Sequence, residues 1–416
     1  MFFATHVKPH IASILTSNIR LMARRRVQEA KHQLLKRPRV VHYFHDVSDP
    51  YCHLTAQVLQ RFQDNYDVEL RPHLISGPPI EALPDPVAHR KNAITDATRL
   101  ARKLSLSAPE GSVPANDAIA DAEKLMAADL ANGSFIENVR DTSTNLWSGR
   151  GLPSSDHAKP AALISDGDQT LAALGHYLGG TFYYDGEWYW GADRLHYLEN
   201  RLQHAGLGGG SPRIVPLPSV QPAKRVSQGQ EIEFFFSFRS PYSYLAFDRT
   251  VDLAHHYGAR LVLRPVLPML MRGLPVPPSK SSYILYDCAR EARRLGIPFG
   301  RICDPLGKGV ERGYALLDYA EGQGKLPEFC SAFLRGVWAE GLNAATDRGL
   351  RTIVDNADLD WLAAKPFLNP DLWRDRVQTN QNRLQEIGLW GVPSFRVAGE
   401  SVWGQDRLWA VEDCLT

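Results

Sequence analysis

The stretch IEFFFSFRSPYSYLAF, residues 232–247, decides the fold. A run of β-formers ends at Ser237, and Ser240-Pro241-Tyr242-Ser243 follows, leading into a segment of helical character. Pro suits the first turn of a helix, where its missing N–H leaves nothing unpaired. The residue before it then sits near the N-cap, facing free backbone N–H groups and the positive end of the helix dipole. A cysteine at that place would become reactive. A serine there performs no redox chemistry, but it can donate a hydrogen bond to a thiolate that arrives on a ligand. Ser240 is equally a favoured plain N-cap.

Working outward, the same plan occurs twice in the 416 residues. Asp49-Pro50-Tyr51-Cys52 matches Ser240-Pro241-Tyr242-Ser243, and Leu70-Arg71-Pro72 matches Leu263-Arg264-Pro265. Asp96 with Arg99 matches Asp287 with Arg290, and Gly186-Glu187 with Trp190-Gly191-Ala192-Asp193-Arg194-Leu195 matches Gly399-Glu400 with Trp403-Gly404-Gln405-Asp406-Arg407-Leu408. The matches keep their order. Between the halves, 206–230 is rich in Gly, Pro and Ser and reads as a linker. Each half has an apolar strand (40–44; 232–236), the Pro-Tyr turn with a helix, a second strand (68–74; 261–266) and a helical region including 93–104 or 284–295. A closing strand pair (182–190; 394–403) then precedes a last helix. The expected bounds are 1–39 for a basic N-terminal helix, 40–205 and 230–416 for the two domains, and 206–229 for the linker.

Composition narrows the function. The net charge is +1, so no global field points to nucleic acid. The five cysteines are scattered and form no Cys-x-x-Cys pair, which argues against a metal site and a disulfide framework. No apolar run is long enough to span a membrane, and the cytoplasm is the expected compartment. Residues 1–40 carry nine Lys or Arg and one acid, Glu29. Leu15, Ile19, Met22, Ala23 and Val27 fall at helical spacing, giving a basic amphipathic helix packed on its own domain or lying on a membrane surface.

A second element is Gly391-Val392-Pro393-Ser394-Phe395. A Pro entering a short apolar strand after a Gly-containing turn is a candidate cis-proline. Together with FSFRSPYSYLAF, LRPVLP, Lys280, Tyr283, Asp287, Arg290, WGVPSF and GESVWGQDRL, it makes the second half resemble a known family. This is the DsbA-like family of thioredoxin folds, in its branch of 2-hydroxychromene-2-carboxylate isomerases and kappa-class glutathione transferases. The resemblance implies an α/β chain of two tandem thioredoxin-like (DsbA-type) domains, each with a helical insertion.

The resemblance also implies roles. Ser240 matches the catalytic serine that hydrogen-bonds the sulfur of glutathione. Val392 and Pro393 match the backbone that pairs with the cysteinyl part, and Gln405 and Asp406 match the pair holding the γ-glutamyl end. Tyr242, Lys280 and Trp390 are candidates for the pocket of an aromatic substrate, with Tyr244, Met269 and Met271 as further walls. The loop 268–280 lacks the asparagine that some kappa-type members use for glutathione. In the first half Asp49 stands at the nucleophile's place, and Gly180 stands where the cis-proline would be. That half reads as a degenerate copy, packed on the second half like an internal dimer partner.

Three functions follow. The favoured one is a glutathione-dependent isomerase or transferase acting on an aromatic or conjugated electrophilic acid. The alternatives are a DsbA-like thiol-disulfide oxidoreductase, reduced to a monothiol role for Cys52, and a non-catalytic thioredoxin-fold scaffold.

Overall fold

The computed structural model describes residues 2–153, 160–210, 213–218, 220, 229–368 and 373–416. The chain divides into two compact units. One comprises Met1–Met22, Ser219–Val276 and Ser281–Thr416, and the other comprises Ala23–Pro218 with Pro277–Lys280.

The C-terminal unit is built on four strands, in the numbering used here β5 (Glu231–Phe236), β6 (Arg260–Pro265), β7 (Ser394–Val397) and β8 (Glu400–Trp403). Their order is β6-β5-β7-β8, with β5 parallel to β6 and antiparallel to β7. A central strand covered on both faces has to be apolar along its whole length, which is why 232–236 runs nearly unbroken. Phe234 and Phe236 pack with Phe247, and Phe234 stacks on Phe395 at 5.0 Å. Phe235 points to the other face, against Val266, Leu384 and Leu389. Burial of each phenylalanine contributes about 2 kcal/mol. Glu233, the charge interrupting the run, is buried and held by Arg264 at 2.6 Å and Arg383 at 3.0 Å. The helical insertion between β6 and β7 includes Pro278–Leu295, Leu326–Arg335 and Arg374–Glu386.

The other unit repeats this plan with β1 (Val40–Asp46), β2 (Glu69–Ile75), β3 (Thr181–Tyr184) and β4 (Glu187–Trp190). The order β2-β1-β3-β4 has the same parallel and antiparallel pairings. Helices Pro86–Leu104, Asn116–Asn132, Phe135–Trp147 and Pro160–Leu174 separate β2 from β3.

The basic N-terminal segment departs from the expected single helix. It forms two helices, Phe2–Thr16 and Asn18–Leu35. The second helix buries no residue, and Ile19 and Val27 are exposed. It is held by polar contacts to the β3–β4 hairpin instead. Arg25 forms a two-pronged bond with Glu187 at 2.7 and 2.6 Å, Arg24 donates to Gly186 O at 3.0 Å, and His32 meets Asp185 at 2.9 Å. Polar contacts rather than fully buried apolar side chains thus mark the docking of this helix. Among the described residues no helix is long and apolar enough to cross a membrane.

The repeated Trp-Gly-x-Asp-Arg segment has a structural cause in both units. Gly191 and Gly404 have φ of +82° and +118°, which side chains rarely adopt. A Cβ at either would lie 2.6 Å from the carboxylate oxygen of Asp193 or Asp406. Gly399 also has positive φ, +81°, but open space around it. Gly404→Ala should therefore lower stability by about 2–4 kcal/mol, and Gly399→Ala by only about 1 kcal/mol. Urea unfolding of both variants checks this, and equal losses would contradict the steric explanation.

Candidate active site

Two turns occupy equivalent places at the ends of β5 and β1. In the C-terminal unit Ser240 caps the helix Pro241–Tyr257, with φ −98° and ψ 113°. Its Oγ accepts from Ser243 N–H at 3.1 Å and donates to Val392 O at 3.4 Å. The Val392–Pro393 peptide is cis. The Ser240 hydroxyl thus already touches the backbone that the resemblance assigns to the cysteinyl part of a ligand. The Val392 N–H makes no backbone hydrogen bond among the described residues. Val392 is half-buried, while Pro393 is buried.

Ser243, the second serine, is fully buried. Its Oγ accepts from Ser237 N–H at 3.3 Å and so pins the turn to the end of the strand. Cys52 does the same in the other unit, where its Sγ accepts from Asp46 N–H at 3.2 Å. Cys52 has no exposed surface. Burial, with the nearby Asp49 and Asp46 carboxylates, pushes its thiol well above the usual cysteine range. A buried, protonated thiol is a poor nucleophile, which corrects Cys52 as a candidate monothiol.

Asp49 has nearly the backbone conformation of Ser240, φ −93° and ψ 120°, and caps Pro50–Ala56 through Tyr51 N–H at 2.8 Å. Burial and the neighbouring Asp46 push its carboxyl up to about 7, against the Tyr51 and Cys52 bonds that favour ionisation. Gly180, matched by sequence to the cis-proline, accepts from Gly191 N–H at 2.8 Å, as Pro393 O accepts from Gly404 N–H at 3.0 Å. Each turn is braced in the same way. Tyr51 Oη donates to Asp96 at 2.8 Å, and Tyr242 Oη donates to Asp287 at 2.9 Å.

The remaining residues singled out from sequence are placed unevenly. Gln405 is 1% exposed, and its amide is used by Arg249 at 3.0 Å and Glu291 at 2.8 Å. Its side chain therefore belongs to an internal network, a correction to its expected ligand contact. Asp406 is partly exposed and pairs with Arg407 at 3.0 Å. Tyr242 is half-buried, with its hydroxyl taken by Asp287. Tyr244 is buried and donates to Pro298 O at 2.7 Å, so it is core rather than pocket wall. Trp390 is 6% exposed and meets Trp403 edge-on at 4.7 Å. Lys280 falls in the short segment that groups with the N-terminal unit, and its Nζ donates to Ala82 O at 2.9 Å. Met269 and Met271 are half-buried.

One residue escaped the sequence reading. Arg272, in the loop 268–280, is half-buried and donates through Nη1 to Trp390 O at 2.9 Å. Its signal was a cation flanked by the apolar residues Met269, Leu270, Met271 and Leu274 in a Pro-rich loop. Among the described residues no cluster of three His, Cys, Asp or Glu could hold a metal ion.

Two outcomes follow for the N-terminal turn. An acid held above its ordinary value of ~3.9 binds its proton more tightly in the folded state. Ionisation of Asp49 thus removes stability as pH rises towards 7. Asp49→Asn keeps the cap and should raise stability at pH 8 by about 1–3 kcal/mol relative to its effect at pH 4. Urea unfolding at the two pH values checks the sign. Cys52 should resist iodoacetamide at pH 8 in the native protein and react once urea unfolds it; mass spectrometry reads the adduct, and rapid native labelling would contradict the burial.

Residues 231–416 match the family model of the DSBA-like thioredoxin domain. The chain is 26% identical over 192 residues to a 2-hydroxychromene-2-carboxylate isomerase of Sphingobium xenophagum, covering 44% of this chain and 97% of that protein. It is 26% identical over 196 residues to a protein of the same name from Pseudomonas putida, covering 44% and 93%. A solved 2-hydroxychromene-2-carboxylate isomerase shares 25% identity across 44% of this chain and 93% of its own, with a TM-score of 0.39. Residues 231–416 are thus similar to the DSBA-like thioredoxin domain, and the relatives that match this stretch are named as isomerases.

Proposed function

We propose that the C-terminal half is a glutathione-dependent isomerase or transferase acting on an aromatic or conjugated electrophilic acid, with Ser240 meeting the thiol sulfur. The observation that carries this reading is the state of the Ser240 hydroxyl. Its oxygen is engaged as an N-cap, while its hydrogen rests on Val392 O at 3.4 Å. A hydrogen bond of that length is weak, so turning the hydrogen towards a sulfur anion costs little. The Val392 N–H beside it lacks a backbone partner among the described residues, which suits strand-like pairing with an extended thiol peptide.

These residues fit a thiol ligand. Gln405 fits less well, because its amide is already bonded on both ends. A bound thiol supplies the nucleophile for reversible addition to a conjugated carbon. The chain's own part is to hold that sulfur at the head of the helix Pro241–Tyr257. There the positive end of the helix dipole and the Ser240 hydroxyl stabilise its anion and draw its pKa below the usual ~8.5. The relatives named as 2-hydroxychromene-2-carboxylate isomerases support a ring-bearing conjugated acid as the substrate class.

On the same reading, residues 40–205 are a degenerate copy of the fold in 230–416, joined to it by 206–229 and preceded by the basic segment 1–39. Equal strand order, the paired Tyr–Asp braces and the twin Gly-x-Asp-Arg bends support a copy. A carboxyl at Asp49 repels a thiolate once ionised, so this turn suits a structural role.

The test is calorimetric titration of glutathione into the wild-type chain and Ser240→Ala, with the ultraviolet absorbance of the thiolate followed against pH. The wild type should bind and lower the thiol pKa. Ser240→Ala should lose that shift and weaken binding about tenfold, with only about 1 kcal/mol lost from the helix cap. A wild-type protein that binds no glutathione overturns the reading.

A further inference from the structure

The helix Asn18–Leu35 has two sides of different character. Arg25, Gln28 and His32 recur at intervals of three and four residues, so they share one side. All three are half-buried. Arg25 and His32 tie that side to the β3–β4 hairpin, through Glu187 at 2.7 and 2.6 Å and Asp185 at 2.9 Å. Ile19, Ala23, Val27, Ala30 and Leu34 recur at intervals of four, four, three and four residues and share the opposite side. All five are exposed: Ile19 keeps 84% of its surface, Val27 54% and Leu34 82%. The bonds to the hairpin thus hold the helix with an apolar stripe turned towards solvent.

Cations border this stripe. By the helical period Arg26 lies on one flank, and Arg20 and Lys31 lie on the other. Lys36 and Arg37 follow just past the helix. These five side chains are exposed, and none pairs with a carboxylate among the described residues. The one acid between residues 18 and 37, Glu29, is taken by Arg39. The whole chain has a net charge of +1, so this excess of positive charge is local.

That arrangement selects what can cover the stripe. A second copy seated stripe to stripe would bring these cations against their own equivalents, with no spare acid on the segment to answer them. A negatively charged surface answers them directly. The apolar side chains extend along about 22 Å of helix with alanines between them, which makes a shallow strip rather than a row of anchors for pockets. Lys and Arg on both flanks of such a strip reach phosphate groups while the strip enters the acyl boundary. Among the described residues no helix is long and apolar enough to cross a membrane, so this helix would lie in the interface.

We infer that the outward face of the helix Asn18–Leu35 is a docking surface for an anionic lipid bilayer. Ile19, Val27 and Leu34 enter the boundary of the acyl chains, and Arg20, Arg26, Lys31, Lys36 and Arg37 meet the anionic headgroups. The inference does not depend on the function proposed for the Ser240 site.

The test is sedimentation of the full chain with vesicles of phosphatidylcholine alone or with about one third phosphatidylserine. Wild type is compared with a double variant, Val27→Ser with Leu34→Ser, and a triple variant, Arg20→Gln with Arg26→Gln and Lys31→Gln. These side chains are exposed, so both variants should melt as the wild type does. The wild type should sediment with the anionic vesicles and not the neutral ones, and added salt should weaken the binding. The triple variant should bind about a hundredfold more weakly, and the double variant about tenfold. Equal sedimentation with both vesicle types overturns the inference. So does sedimentation with neither, which leaves an acidic protein as the partner of this face. Binding that is lost without the cations but unchanged without Val27 and Leu34 also overturns it, because it marks adsorption of a basic segment with no part for the stripe.

Discussion

The bond from Ser237 N–H to the buried Ser243 hydroxyl ties the end of the central strand to the first turn of the helix that follows. The geometry of the site depends on it. Fixing that turn fixes Ser240 as the cap and aims its hydroxyl at the loop carrying Val392. A capping serine is worth only about 1 kcal/mol, but its direction decides which groups face a ligand. The other unit makes the same tie with sulfur, from Asp46 N–H to Cys52. Cysteine and serine are of similar size, and either can accept an N–H. The position therefore accommodates either atom as an acceptor.

The two turns differ in what they can stabilise. A hydroxyl is neutral and can turn its hydrogen towards an anion. The Asp49 carboxyl, buried beside Asp46, has no such freedom: neutral it holds its proton, and ionised it opposes any second negative charge. On the proposed reading, the difference at the cap separates a turn that suits a thiolate from one that does not. The scaffold around it changes little, since Tyr51–Asp96 and Tyr242–Asp287 brace the two turns alike.

Much of the fold was legible in the chain itself. The run of phenylalanines marked a strand buried on both faces, and the Pro-Tyr turn marked the start of a helix. The Trp-Gly-x-Asp-Arg segment marked a repeated stretch, and the structure then showed the bend that needs its glycine. The site was less legible. Gln405 and Asp406 looked like a ligand pair, yet Gln405 serves an internal network with Arg249 and Glu291 that lie far from it in sequence. Lys280 seemed to belong to the ligand loop by order along the chain, but its segment groups with the other unit. Arg272 passed unnoticed because its bond to the Trp390 carbonyl is visible only when its neighbours are known.

The sequence by itself determined the local features: strand and helix periods, the capping residues, the glycines at positive φ, and the doubling of the plan. These depend on residues close together in the chain, whose energetics one segment carries alone. Tertiary structure decided which polar groups were already spoken for. It sealed Cys52 in the interior, bound the Gln405 amide and set the Ser240 hydroxyl against Val392. Hydrogen-bond and charge satisfaction are set by groups from distant segments meeting in one place, so no short stretch of sequence contains them.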